Sequence, residues 1–194
     1  MERITAADAA FLYMENPIVH MHVTGVLVLD PSTVPGGYSY EHFRAHVISR
    51  LHRIPVFRRR LLPAPLGIDH PVWVDDPDFD IDRHLRPVDL GGDATSGDLA
   101  DWVGEYASTP LDRTLPLWEM SVLEGLADGS VAVVSKVHHV AVDGVTGTDL
   151  MAQLVDLTPD VDDDAPPEFR PEPLPNQIEL TYDAGVATAN MGAY

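Results

Sequence analysis

The pattern of apolar and polar positions centres on one segment, residues 131–157. A run of β-branched apolar residues predicts a strand that delivers His138 and His139 to its end. Asp143-Gly144 then predicts a sharp turn, and apolar residues beyond it recur at helical spacing. Side chains alternate between the two faces of a strand, so the adjacent histidines are expected to point to opposite faces. At most one of them then faces a cleft.

Similar patterns upstream predict further elements. Capping residues and stripes of apolar positions predict three helices. They cover residues 6–14, residues 40 to about 53, and a segment that begins at Ser96 or Asp98 and ends at about residue 108. Alternating or β-branched runs predict strands at residues 20–29, 56–62, 72–74 and 84–90, and a hairpin of 117–123 with 130–138. Both faces of strand 20–29 become apolar, which predicts burial on both sides. Gly91-Gly92 is expected to break the chain. This mixture predicts an α/β fold in which a mixed sheet is flanked by helices.

The pattern changes after residue 157. Residues 158–175 are acidic, rich in proline and without an apolar period, which is typical of a linker. Residues 176–194 have weak helical character and leave little room for a second domain. We therefore expect one domain over residues 1–157, a linker over 158–175, and the start of a crossover over 176–194.

The composition excludes several classes of function. The 31 acidic and 12 basic residues give a formal charge of −19. This charge argues against nucleic-acid binding and against electrostatic docking on anionic membranes. The absence of cysteine excludes a thiol nucleophile, a disulfide scaffold and a thiolate zinc site. No signal peptide or membrane-length apolar run is visible, so we expect a soluble cytoplasmic protein.

Two charged clusters offer weaker candidates for chemistry. Residues 58–60 are three consecutive arginines, which are read either as a solvated strand edge or as a contact for an anionic substrate. Residues 75–82 form an acidic turn, but the glycine and glutamate of an EF-hand are missing. We therefore expect no metal site at this turn.

The histidine pair is the strongest chemical candidate. A histidine at a strand end is well suited to act as a general base, because its reference pKa lies near 6.5. Asp143 can orient an imidazole or anchor the turn, and Gly144 allows a close backbone approach. A metal site and purely structural histidines are alternatives at this point. Adjacent histidines on a strand diverge, however, unlike the paired histidines that bind zinc from one helix face.

The histidine motif and several other stretches resemble those of a known family. The residues 138–144, HHVAVDG, resemble the HHxxxDG signature of the CoA-dependent acyltransferase superfamily. Several further stretches are similar to the bacterial wax ester synthase/diacylglycerol acyltransferases, in order and spacing from about residue 4 to 157: TAADAAFLYMENP, MHVTGVLVLD, FRRRLLPAPLG, PVWVDDPDFDIDRHLR and the PLWE of residues 116–119.

The resemblance implies a role for each residue of the motif. His139 would be the general base that takes the proton from an acceptor hydroxyl during attack on an acyl-CoA thioester, with His138 as the secondary candidate. Asp143 would support the loop by pairing with an arginine, and Gly144 would give clearance to the substrate. Acyl-CoA would be a co-substrate, with no permanently bound cofactor and no metal. The acceptor would be diacylglycerol or a fatty alcohol.

The resemblance also implies an incomplete site. Members of the family are about twice as long and fold as two halves of the chloramphenicol-acetyltransferase type, with the channel between them. This chain would be the N-terminal half, inactive alone or dependent on the C-terminal half, possibly as a separate chain. Peripheral association with membranes or lipid inclusions is compatible with such substrates. The alternatives are a condensation domain that uses carrier-bound acyl groups, and a non-catalytic lipid-binding module.

Overall fold

A computed structural model describes residues 1–142, 152–155 and 166–191, and of residues 187–191 only the backbone. Within these ranges the chain forms two β-sheets and the helices that pack on them. The strands are β1 Glu2–Arg3, β2 His22–Leu29, β3 Arg59–Leu62, β4 Val72–Asp75, β5 Leu85–Ala94, β6 Trp118–Leu126 and β7 Val131–His138. The helices are α1 Ala6–Met14, α2 Tyr40–Arg50, α3 Ser96–Ala107 and α4 Gln177–Met191.

The larger sheet has the strand order β2-β7-β6-β5. β7 pairs antiparallel with both β2 and β6, whereas β5 pairs parallel with β6. The predicted α/β class and mixed sheet are therefore confirmed, as is the hairpin of β6 and β7. A second, antiparallel sheet of order β1-β4-β3 takes up the two short strands that were expected near residues 60 and 73.

The central strand β7 is buried along its whole length, and helices cover both of its faces. Ala132 and Val134 point to the face that packs on α3. Val131, Val133 and Val137 point to the opposite face and share a core with residues of α2. A strand covered on both sides needs apolar residues at successive positions, which explains the β-branched run in the sequence.

The prediction that β2 is buried on both sides is wrong for the described part of the chain. Val26 and Val28 are 47% and 55% exposed. The strand pairs only with β7 and forms an edge of the larger sheet. Its apolar composition resembles that of a central strand, but side-chain pattern alone does not determine which strands have two neighbours.

The expected chain break at Gly91-Gly92 is also wrong, because β5 continues through both glycines to Ala94. The pairing with β6 shifts register between Asp89 and Ala94, as in a β-bulge. Gly91 and Gly92 have φ angles of 95° and 91°, which a glycine adopts without the steric cost that other residues incur. The glycines therefore bend the strand without ending it.

A stack of four rings fills the core beneath β6. Trp118 stacks between Phe57 and His84, with ring centroids 4.4 and 4.8 Å away, and Phe79 covers the other face of His84. The Trp118 Nε1–H donates to the Phe57 carbonyl at 2.8 Å. These buried contacts give Trp118 and His84 a structural role.

The helices begin where the sequence indicates. Thr5 and Thr95 cap α1 and α3, each in a reciprocal capping box with the aspartate three residues later. α4 packs on the smaller sheet through Leu180, which is buried with Val72 and Val74. Among the helices of the described ranges, none is long and apolar enough to cross a membrane.

Candidate active site

The end of β7 places the histidine pair beside α1. The strand ends at His138, and His139 begins a 3-10 turn, His139–Ala141. The His138 N–H donates to the Leu117 carbonyl at 3.0 Å, and the His139 N–H donates to the Met21 carbonyl at 2.7 Å. The expectation that both histidines lie on the strand is therefore wrong, because the turn begins between them. As a result, both rings contact the same helix.

His138 is buried, with 1% of its surface exposed. Its Nδ1 accepts a hydrogen bond from the Val140 N–H at 3.0 Å. This bond requires a lone pair on Nδ1, so a neutral ring carries its proton on Nε2. Burial lowers the pKa of His138 to about 4, although the nearby Glu15 carboxylate acts in the opposite direction. His138 is therefore neutral at pH 7.

His139 is only partly buried, and its ring stacks on Phe11. The two ring centroids are 4.8 Å apart, and the ring planes differ by 14°. Within the described ranges, neither ring nitrogen of His139 has a hydrogen-bond partner. His138 Nε2 also has no hydrogen-bond partner in the described part of the chain, but it is buried. Of the two imidazoles, His139 is thus the more exposed one.

Glu15, which the sequence interpretation did not single out, faces the buried histidine. Its Oε2 lies 3.6 Å from His138 Nε2, and its side chain is only 9% exposed. Arg113 Nε donates to the same carboxylate at 2.6 Å, and Arg113 Nη2 donates to the Leu12 carbonyl at 2.7 Å. These residues are far apart in the sequence, so local spacing gave no signal that they meet.

A second group of polar side chains surrounds the C-terminal end of α3 on the same sheet face. His20 and His22 contact the carbonyls of Ser108 and Ala107 through Nε2, each at 3.0 Å. Lys136 Nζ donates to the carbonyl of Thr109 at 3.0 Å. Donors at this end satisfy carbonyls that have no partner within the helix. His20 and His22 therefore hold α3 in place.

The arginines at residues 58–60 have partners within the chain. Arg59 contacts Asp75 at 3.3 Å and Glu2 at 2.7 Å, and Arg60 lies 3.6 Å from Asp76. Arg58 lies over the ring of Phe169, 4.3 Å from its centroid. Two carboxylates of the acidic turn, Asp75 and Asp76, thus balance charge in the basic cluster. Across the residues that the structure describes, no group of three acidic or histidine side chains is arranged to hold a metal ion.

Two of the predicted site residues, Asp143 and Gly144, lie outside the described residues. The helix expected after them is described only at residues 152–155. The geometry of the candidate site is therefore that of the histidine pair, α1 and Arg113.

The chain as a whole matches a known enzyme family. Residues 4–193 match the model of the wax ester synthase/diacylglycerol acyltransferase catalytic domain. The chain belongs to this family.

Curated relatives are found in Mycobacterium tuberculosis. One, assigned by name to the diacylglycerol O-acyltransferases, is 48% identical over 161 residues, which cover 82% of this chain and 32% of the relative. Another with the same assignment is 36% identical over 156 residues, which cover 80% of this chain and 57% of the relative. The chain thus spans between about a third and somewhat more than half of the length of these relatives.

Solved structures show the same fold. The wax ester synthase/diacylglycerol acyltransferase from Marinobacter aquaeolei VT8 is 28% identical, with a TM-score of 0.65 over 84% of this chain and 40% of that one. A starter condensation domain of rhizomide synthetase has a TM-score of 0.59 at 17% identity and covers 79% of this chain and 36% of that one. The second likeness concerns the fold alone.

Proposed function

We propose that this chain is part of an acyl-CoA-dependent O-acyltransferase in which His139 is the general base. The enzyme would transfer a long-chain acyl group to the hydroxyl of diacylglycerol or of a fatty alcohol. The observation that carries this proposal is the partly exposed His139 ring at the end of β7, in a chain of the wax ester synthase/diacylglycerol acyltransferase family.

The proposed reaction is a direct transfer without an acyl-enzyme. An imidazole nitrogen of His139 takes the proton of the acceptor hydroxyl as the oxygen attacks the thioester carbonyl. The tetrahedral intermediate collapses, the C–S bond breaks, and the imidazolium returns the proton to the CoA thiolate. No cysteine nucleophile is needed for this route, and the sequence contains none.

The contrast between the two histidines supports the choice of His139. The His138 Nδ1 already accepts the Val140 N–H, and its Nε2 faces the Glu15 carboxylate in the protein interior. A general base must come within hydrogen-bond distance of the proton that it removes. A ring buried in this way has no free face for a substrate, whereas the His139 ring is partly exposed.

For Asp143 and Gly144 the family resemblance supports the proposal. Asp143 would brace the turn by pairing with an arginine, and Gly144 would leave space for the substrate next to His139. Neither residue would take part in proton transfer.

The greater length of the relatives supports a two-part architecture. Residues 1–157 would form one half of the acyltransferase, residues 158–175 a linker, and residues 176–194 the start of the crossover. A C-terminal half, in the same chain or in a separate one, would supply the other wall of the channel. Residues 1–194 alone would then be inactive, and acyl transfer at the full rate by this fragment would contradict the two-part proposal.

The test compares variants of the full-length protein in an assay with acyl-CoA and diacylglycerol or a long-chain alcohol. His139→Ala is expected to lower kcat by about 10²–10⁴-fold, which is the usual contribution of a general base. His138→Asn, whose Oδ1 can accept the Val140 N–H, is expected to lower kcat far less than His139→Ala does, because His138 only positions the base. Unchanged turnover by His139→Ala would leave the histidine motif with only a binding role. Loss of activity in the His138 variant alone would make His138 the general base instead of His139.

The identity of the acyl donor is tested in the same assay. The resemblance to the HHxxxDG signature leaves the alternative of an acyl group that a carrier protein holds on phosphopantetheine. We expect turnover with acyl-CoA and none with an acylated carrier protein, and the opposite result would favour the condensation-type reaction.

A further inference from the structure

Helix α1 touches both histidines of the motif from one of its faces. Phe11 stacks on His139, and Glu15, the C-cap residue directly after α1, faces His138. The Glu15 N–H donates to the Phe11 carbonyl, so Glu15 lies one turn beyond Phe11 at the end of the helix, and the two contacts form a single surface. This arrangement is a direct consequence of the 3-10 turn that begins at His139.

We propose that α1 is the positioning element of the histidine pair: Phe11 fixes the ring plane of His139, and Glu15, held by Arg113, fixes His138. This inference rests on the proposed role of His139 as the base. Phe11, Glu15 and Arg113 are positioning residues, because each is argued to act through a histidine and not on the substrate.

The Phe11 contact limits the motion of the His139 ring. The centroid distance of 4.8 Å and the angle of 14° describe a stacked pair within the favourable range for aromatic rings. Stacking covers a face of the ring and not its edge, and it disfavours rotamers that turn the ring away from α1. The backbone N–H of His139 is fixed independently by the Met21 carbonyl. Backbone and ring are thus held from two directions.

The Glu15 contact acts, through the His138 ring, on the residue that follows the base. Glu15 faces the Nε2 of His138, whose Nδ1 in turn accepts the Val140 N–H. Val140 is the residue directly after His139, so the His138 ring fixes the chain just beyond the base. A shift of His138 would therefore be transmitted to His139 through one peptide unit.

Arg113 makes the buried Glu15 carboxylate stable. A carboxylate removed from water is costly unless it is paired and hydrogen-bonded. Arg113 supplies a donor at 2.6 Å and also donates to the Leu12 carbonyl, which lies in the last turn of α1. The arginine thereby ties the end of α1 to the carboxylate that faces His138.

The helix itself is firmly placed, as a positioning element must be. Its first turn has the Thr5–Asp8 capping box. Ala9 and Leu12 are buried in a core cluster that also contains Val140. The packed face of α1 and the turn that carries His139 therefore move together.

The experiment measures both the geometry and the activity in the full-length protein. Histidine is labelled with ¹³C, and the Cε1–H resonances of His138 and His139 are assigned with the Asn and Ala variants. A ring stacked on Phe11 has a Cε1–H signal displaced by the ring current. Phe11→Leu is expected to remove this displacement and to lower kcat by about 10–100-fold with little change in KM, because misplacement of a reacting group has effects of this size.

The control for Phe11 lies on the same helix. Tyr13 contacts His70 with ring centroids 5.6 Å apart, away from the motif. Tyr13→Leu is expected to change neither kcat nor the His139 resonance. Phe11→Tyr keeps a stacking ring and is expected to have the wild-type kcat and His139 resonance. This variant tests the proposal even if Phe11→Leu fails to fold. The proposal would be overturned if Phe11→Leu kept the wild-type kcat and the wild-type position of the His139 resonance. It would also be overturned if Phe11→Tyr lost both the wild-type kcat and the ring-current displacement.

The Glu15 contact is tested by Glu15→Gln, which keeps the shape of the side chain and removes its charge. It is expected to move the His138 resonances and to lower kcat. The matched control is Asp82→Asn, which breaks an exposed carboxylate–arginine pair with Arg44 and should do neither. Glu15→Gln with wild-type kcat and unmoved His138 signals would remove Glu15 from the proposal.

Failure of the proposed function would be recognised separately. If His139→Ala keeps its turnover, His139 is not the base, and the resonance of Phe11→Leu alone decides whether α1 positions the ring. If His139→Ala is inactive but Phe11→Leu is normal in both measurements, the positioning role is refuted while the general base stands.

Discussion

Lys136 Nζ lies 3.4 Å from Glu119 Oε2, and the two residues are directly opposite each other on β7 and β6. The lysine side chain is completely buried. It also donates to the carbonyls of Tyr106 and Thr109, at 3.2 and 3.0 Å, and to the Thr109 hydroxyl at 2.9 Å. Burial lowers the pKa of Lys136, and Glu119 opposes this effect. The pair fastens the C-terminal end of α3 to the strand that carries the histidines.

Burial of Lys136 predicts its chemical reactivity. It is the only lysine among the 194 residues. We expect amine-reactive esters to modify the N-terminus of the native protein rapidly and to modify Lys136 only as fast as the domain unfolds. Peptide mass spectrometry with and without denaturant measures both sites. Rapid modification of Lys136 in the native state would show that the side chain is accessible.

Removal of the lysine charge is predicted to destabilise the fold more than removal of the glutamate charge. Lys136→Met keeps the aliphatic volume but removes the donor to the carbonyl and hydroxyl of Thr109 and the partner of Glu119, so we expect a loss of about 3 kcal/mol. Glu119→Gln should cost only about 1 kcal/mol, because that side chain is 29% exposed and the lysine keeps its other acceptors. Urea denaturation of both variants measures the difference. Equal losses of unfolding free energy in the two variants would mean that the Lys136–Glu119 ion pair, and not the contact of Lys136 with α3, accounts for the stabilisation.

The low pKa of His138 predicts a dependence of stability on pH. An unfolded histidine titrates near 6.5, whereas the folded His138 titrates at about 4. Between these values the unfolded chain binds a proton that the folded chain does not, so the free energy of unfolding falls as the pH falls from about 6.5 towards 4. The groups that face this ring are Glu15, Arg113, His139 and His22. Burial lowers the pKa of His22 as well, with an effect of the same sign.

The measurement is urea denaturation at several pH values. His138→Asn should reduce the slope by up to about 1.4 kcal/mol per pH unit in this window, the contribution of one proton. His42→Gln, at an exposed position of α2, is the control and should leave the slope unchanged. Parallel curves for the wild type and His138→Asn would contradict a buried neutral histidine.

Local patterns predicted much of the fold because local forces determine those parts. Capping boxes begin α1 and α3, and the β-branched run forms the central strand β7. The edge position of β2 was missed because apolar composition does not report how many neighbours a strand has. The continuation of β5 through Gly91-Gly92 was missed because a glycine pair is compatible with a bulge as well as with a break.

The candidate site was predictable only in part, for a similar reason. The histidine pair is a contiguous motif, and its strand follows from the local pattern. Phe11, Glu15 and Arg113 come from α1 and from the loop before β6, and only tertiary folding brings them to His138 and His139. The 3-10 turn at His139, which places both rings against α1, has no distinct sequence signal that sets it apart from a strand end.

The close approach of β6 to the bulge of β5 yields a last prediction, on Gly125. This glycine has a φ of 87°, and an added Cβ would lie 2.7 Å from the backbone nitrogen of Gly92 and 3.0 Å from that of Gly91. Gly129 is the matched control, since its φ is 77° but nothing lies within 4 Å of its Cβ position. Gly129→Ala should cost about 1–2 kcal/mol, the cost of a left-handed backbone. Gly125→Ala has the same backbone cost and a clash with main-chain atoms that cannot rotate away, so it should destabilise the fold by several kcal/mol. Urea denaturation of both variants isolates the steric contribution, and equal losses would show that β5 can move to accept the methyl group.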